Sequence, residues 1–157
     1  MSGTGKSTLV CELAALGYKA IDADSDEWSE WVNVSGDSPL SGSTTEPDRV
    51  WREDRIQRLL STEDADVLFV SGCATNQVKF YAQFEHIVLL SAPSRLIIDR
   101  LATRTTNSYG KHPAELSRVL RLQKTVDPML RRVASLEVDT SASVERVIET
   151  ILDFVRP

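Results

Sequence analysis

The chain is short of several things, and each shortage closes off a class of function. Cysteine is limited to Cys11 and Cys73, too few for the disulfide framework of a small secreted domain. Histidine is limited to His86 and His112, and neither the histidines nor the cysteines show metal-ligand spacing. An excess of basic residues is missing: the net charge is -5, which argues against a nucleic-acid partner. No apolar run is long enough to span a membrane, and no apolar segment stands where a signal peptide needs one. The expectation is a cytoplasmic protein with no membrane partner, a monomer. Internal repeats and a second domain are also absent, so residues 1–157 read as one domain, long enough to bury a core.

What the chain does have is a phosphate-binding loop at its very start. Gly3-Thr4-Gly5-Lys6-Ser7-Thr8 fits the P-loop pattern G-x-x-x-x-G-K-[ST], except that the pattern's first glycine falls one place before Met1. Glycines let backbone N–H groups converge on phosphate oxygens, Lys6 reaches the β- and γ-phosphates, and the Ser7 hydroxyl is a magnesium ligand. The helix that follows carries Leu9, Val10, Leu13, Ala14 and Leu16 on one stripe and stops at Gly17; its positive end adds to the anion site. A P-loop joins a buried strand to a helix, so the strand before it is expected to be missing, with Met1 an internal start.

Further along, apolar runs alternate with helical patterns. Lys19–Asp22 reads as a strand ending in Asp22-Ala23-Asp24, and a short helix is expected around Trp28 and Trp31. Residues 33–47, rich in Ser, Gly and Thr, read as a loop, and a helix is expected from Glu46-Pro47-Asp48 through Leu60. Val67–Val70 and His86–Leu90 are apolar on both faces, as a parallel sheet covered by helices requires. Residues 76–84 look helical, Pro93 opens a helix, and a longer one starts near Pro113. Leu136-Glu137-Val138 is a last short strand, and Val144, Val147, Ile148, Ile151, Leu152 and Val155 mark a final amphipathic helix. Strand–helix alternation of this kind gives a three-layer α/β fold with a parallel sheet.

Phosphoryl transfer needs a nucleotide cradle, a magnesium site, a positioned acceptor and cations around the moving group. The strand at Val67–Val70 ends in Ser71-Gly72 rather than Asp, so Asp22 is the candidate metal-side carboxylate, beside Ser7. Asp24 is the candidate to take the proton of an acceptor hydroxyl; the plainer reading of both is a solvated loop that caps the next helix. Arg49, Arg52 and Arg55 share one face of the expected helix, where an anionic acceptor would bind, with Arg52 beside Trp51 the strongest candidate. Glu53 and Asp54 offer the alternative of a balanced, solvated face. Arg100 and Arg104 bracket a polar stretch ending near His112, and residues about 104–112 read as a closing lid that brings Arg104 or Lys111 to the developing charge. An ordinary surface loop is the alternative. The acceptor-binding region is expected at about residues 24–60.

With these residues in view, the chain resembles the shikimate kinase and gluconate kinase branch of the nucleoside-monophosphate-kinase-like P-loop proteins. Ile21-Asp22-Ala23-Asp24 resembles that branch's Asp-x-Asp, whose first Asp assists magnesium and whose second contacts the acceptor. Trp51-Arg52 resembles its Phe-Arg acceptor pair, Gly72-Cys73-Ala74 stands at its glycine-rich segment, and Val138-Asp139-Thr140-Ser141 resembles the loop beside the adenine ring. The resemblance implies a sheet of order 2-3-1-4-5 with its first, central strand absent from this chain. It implies ATP and Mg2+ as cofactors, with Gly3, Thr4, Gly5, Lys6, Ser7, Thr8, Arg100 and Thr140 at ATP. Asp24, Arg52 and Gly72 would stand at a small-molecule acceptor, and Lys6, Asp24 and Arg104 would be catalytic. Departures from the branch are Cys73 and Ala74 in place of two glycines and Arg55 in place of a Glu, so the acceptor is expected to differ from shikimate. Two other functions remain open: a nucleoside or nucleotide kinase, and an AAA-type ATP-binding or ATPase module without small-molecule transfer.

Overall fold

A computed structural model describes residues 1–33 and 47–156. The chain divides into two compact units, one formed by Met1–Leu9 with His86–Pro157 and the other by Val10–Glu85. Helix α1 (Lys6–Ala15) starts in the first and runs into the second. It buries Leu9 and Leu13 on its apolar stripe, while Leu16 is exposed, contrary to the expected stripe. The helix stops as Gly17 predicts: at φ +91° its N–H donates to Ala14 C=O, and Tyr18 N–H donates to Leu13 C=O, the bond pair of a Schellman cap.

In the unit Val10–Glu85, β1 (Lys19–Asp22) pairs in parallel with β4 (Leu68–Ser71), with Asp22 opposite Ser71. The short helix expected around Trp28 and Trp31 is instead strand β2 (Ser29–Val32), antiparallel to β3 (Asp48–Trp51). The helix expected from residue 46 to Leu60 accordingly splits into β3 and α2 (Glu53–Leu60). Cross-strand partners decide this, because Trp31 with Arg49 and Ser29 with Trp51 are pairs that a local periodicity does not contain. The expected loop 33–47 lies almost wholly outside the described residues, 34–46 in full. The helical reading of 76–84 is met by a 3-10 helix, Gln77–Gln83. The core is Ala23, Trp51, Ile56, Ala74 and Phe80, with Trp28, Leu60, Val70 and Phe84 packed against it.

In the other unit, β5 (Val88–Ser91) pairs in parallel with β6 (Leu136–Asp139). Helix α3 (Ser94–Thr103) follows Pro93, and α4 (Pro113–Val133) opens with proline at its first position, where a missing N–H costs nothing. Helix α5 (Val144–Val155) is capped by Ser143 and buries Val147, Ile148, Ile151 and Leu152, the stripe its sequence announces. Ala92, Ile97, Leu101 and Val119 form the cluster between α3 and α4. Among the described residues, then, two parallel pairs and one antiparallel pair stand as separate two-stranded sheets. No helix among the described residues is long and apolar enough to cross a membrane.

Candidate functional site

The phosphate loop belongs to the first unit and has the backbone a P-loop needs. Gly3 and Gly5 stand at φ +80° and +93°, a region L side chains rarely adopt. Gly3 also lies directly on α3: a Cβ there would sit 2.9 Å from Ile97 Cγ2. The loop is tied inward, because the buried Thr4 hydroxyl donates to Met1 C=O at 2.9 Å and Lys6 Nζ donates to the same carbonyl at 2.7 Å. Ser7 and Thr8 are exposed at the start of α1.

Two further residues singled out in the sequence meet this loop. Arg100 on α3 donates from Nη1 to Gly3 C=O at 3.3 Å and to Thr140 Oγ1 at 2.9 Å, and from Nη2 to Thr140 C=O at 2.5 Å. Thr140, buried at the end of β6, donates in turn to Ser91 C=O. Gly5, Thr8, Leu9, Arg100, Thr140 and Val147 line a cavity of about 200 Å³. That is below the roughly 300–1,000 Å³ of pockets for whole ligands. Its walls are mostly apolar, with Thr8, Arg100 and Thr140 as polar side chains.

Arg104 ends α3, and its Nη2 donates to Tyr109 C=O. Burial pulls its guanidinium below the ordinary pKa. The stretch 104–112 is anchored rather than loose: Gly110 N–H donates to Glu115 at 2.8 Å, and Tyr109 packs on the α3–α4 cluster. Gly110 is buried at φ +90° against Leu101, where a Cβ would come within 3.1 Å of Leu101 Cδ1.

The acidic end of β1 lies in the second unit. Asp22 Oδ1 accepts from the N–H of Asp24, and Asp24 Oδ1 accepts from Cys73 N–H at 2.9 Å. Asp24 and Gly72 are therefore neighbours, as the resemblance implies. Gly72 has no room for a side chain: a Cβ would lie 2.8 Å from Asp24 Oδ1 and 2.9 Å from Trp51 Nε1 and Cζ2. The three arginines of the expected helical face stand on different elements. Arg49 is on β3, paired with Asp26 at 2.7 Å; Arg52 precedes α2 and reaches Glu30 at 3.2 Å; Arg55 donates to Glu27 C=O at 2.7 Å. The shared helical face is thus corrected to ties of Arg49 and Arg55 onto the turn that follows Asp24 and of Arg52 onto β2.

Asn76 is a residue the sequence reading passed over. Its Oδ1 accepts from Trp51 N–H at 2.9 Å and its Nδ2 donates to Trp51 C=O at 2.9 Å. Nothing local in Thr75-Asn76 signals this, since the partner is 25 residues away. Asn76 and Lys79 also hold Glu53: hydrogen bonds, from Lys79 first and Asn76 second, keep that carboxyl below its ordinary pKa.

The residues present suit magnesium carried by a nucleotide. Among the described residues no group of three or more His, Cys, Asp or Glu forms a metal cage, whereas Mg2+ in phosphoryl-transfer sites takes one or two protein oxygens and substrate phosphates. The Ser7 hydroxyl, exposed at the start of α1, is an oxygen donor of that kind.

No curated protein matches the chain. A family model described as an AAA domain matches residues 1–121, from the phosphate loop into α4. That match spans most of the chain and includes the loop, Asp22, Asp24, Gly72 and Arg100. With the glycine conformations of Gly3 and Gly5 and the alternation of parallel strand pairs with helices, it makes this a nucleotide-binding P-loop NTPase-type domain, and the chain belongs to the AAA domain family.

Proposed function

We propose that the chain is an ATP-dependent phosphotransferase of the shikimate kinase and gluconate kinase kind, moving the γ-phosphate of ATP to a hydroxyl of a small, anionic metabolite. The observation that carries this is Asp24, held by Cys73 N–H at 2.9 Å beside Gly72. A carboxylate fixed there is placed to take the proton of an acceptor hydroxyl. In this reading the Gly3–Thr8 loop and Lys6 hold the phosphates, and Arg100 and Thr140 flank the base. Ser7 and Asp22 hold Mg2+, which neutralises charge on the phosphates when bound. Asp24 takes the proton as the acceptor oxygen bonds to phosphorus and the bond to ADP breaks.

Arg52 supplies a cation for the acceptor's negative group. Its pairing with Glu30 is solvent-accessible, and such pairs are worth about 0–1 kcal/mol, so an anionic acceptor displaces Glu30 at small cost. Arg104, at the end of α3, supplies a further cation for the transferred phosphate. The reading includes a parallel sheet of order 2-3-1-4-5 and a cytoplasmic monomer. The AAA domain match itself favours a second reading, an ATPase module without a small acceptor.

The test is release of ADP from MgATP with D-gluconate, shikimate, D-glucose, adenosine or AMP, and with none. Transfer stimulated by a hydroxy acid, lost about 100-fold in Arg52→Ala with the ATP KM unchanged, is the expected result; an anchoring charged hydrogen bond has that order of worth. Turnover without any acceptor, indifferent to Arg52→Ala, would leave the ATPase module standing instead.

A further inference from the structure

Trp51 carries a polar group that the reading above does not use. The residue is 4 % exposed, and its indole Nε1 is a buried donor with no hydrogen-bond partner among the described residues. A buried donor left unpaired costs about 1–3 kcal/mol, and native structures keep few of them.

The surroundings say which acceptor it has. A Cβ on Gly72 would fall within 2.9 Å of Trp51 Nε1 and 2.8 Å of Asp24 Oδ1, so the missing side chain of Gly72 is what lets the indole edge and the carboxylate converge. The ring is not free to look elsewhere. Asn76 holds Trp51 at both its N–H and its C=O, and Phe80 packs against the indole at 6.0 Å between centroids. Asp24 Oδ1 already accepts from Cys73 N–H, and a carboxylate offers about four lone-pair sites. A second donor therefore adds to the first rather than competing with it.

We propose that Trp51 is a positioning residue: its indole N–H is a second donor to the Asp24 carboxylate, reached by a small rotation of the Asp24 side chain. Cys73 N–H and Trp51 Nε1–H then form a two-donor cradle that fixes the carboxylate's plane. The proposal rests on Asp24 being the group that receives the acceptor's proton. Gly72 belongs to the device because any side chain there would part the two groups.

Two measurements on the full chain test it. In 1H–15N spectra the indole signal missing from Trp51→Phe identifies Trp51 among the three tryptophans. It is expected downfield of Trp28 and Trp31, to move upfield in Asp24→Asn, and to stay in place in Asp26→Asn, which alters an exposed carboxylate on the same turn. A Trp51 signal indifferent to Asp24→Asn overturns the pairing, whether or not an acceptor is turned over. With whichever of the five acceptors above is phosphorylated, Trp51→Phe is expected to lower kcat about tenfold and leave both KM values within twofold; an unchanged kcat overturns the positioning role. Should none of the five be phosphorylated, the kinase reading falls while the spectra still decide the pairing. Should Trp51→Phe not fold, Asp24→Asn carries the decision through the one indole signal that it moves and Asp26→Asn does not.

Discussion

Lys6 lies on the carbonyl of Met1 at 2.7 Å, a contact between a full charge and a partial one. A phosphate offers that ammonium a full opposite charge, so the side chain is expected to leave the carbonyl for the β- and γ-phosphates when nucleotide binds. Lys6→Ala removes the cation but no buried packing. It is expected to lower MgATP turnover by about two to three orders of magnitude, the scale of deleting one preorganised group that stabilises transition-state charge. Far-ultraviolet circular dichroism of the variant should match the parent; turnover within a factor of ten of the parent would remove Lys6 from the machinery. The conformation of this loop is legible in the sequence, because the spacing of Gly3, Gly5, Lys6 and Ser7 is a pattern of near-adjacent positions. Asn76 was not legible, since its two bonds to Trp51 cross the chain and asparagine at a turn has a commoner local meaning.

At the scale of elements, helices with a strong stripe and a cap were read correctly, α4 and α5 above all. The strands β2 and β3 were missed. Their four-residue lengths carry too little periodicity to compete with a helical pattern, and only their pairing, Ser29 with Trp51 and Val32 with Asp48, makes them strands. Asn76 is what joins the end of β3 to the segment after β4. Asn76→Ala leaves the Trp51 N–H and C=O with no protein partner at a buried residue. The expected cost is about 2 kcal/mol, from one or two orphaned groups at roughly 1–3 kcal/mol each before local rearrangement. Urea unfolding would read it as a lower midpoint at unchanged slope; a loss under about 0.5 kcal/mol would mean that the clamp is not holding β3.

At the scale of the whole molecule, one group sets a pH dependence of stability. Asp127 on α4 is 3 % exposed, and its Oδ1 has no partner. Burial raises its pKa above the ordinary 3.8, as does the nearby charge of Glu137, while the chain's α-amino group and Arg131 pull the other way. The folded chain therefore holds the Asp127 proton to higher pH than the unfolded chain does. Stability from this group is complete below about pH 3.8 and falls as pH rises through the interval up to the raised value. Asp127→Asn is expected to be more stable than the parent by about 1 kcal/mol at pH 7, the scale on which a buried charge exceeds a buried neutral amide. The advantage should vanish near pH 3, and chemical unfolding at the two pH values measures it; an equal difference at both would show that ionisation is not its source. By itself the amino-acid sequence determined the phosphate loop and the long helices, because each rests on adjacent residues or on a periodicity several turns long. Tertiary structure alone decided the β2–β3 pairing, the dispersal of Arg49, Arg52 and Arg55, the clamp of Asn76 and the unpartnered donor of Trp51. Those features depend on which distant groups meet in the core, and a hydrogen bond or a buried orphan has no signature until its partner is in place.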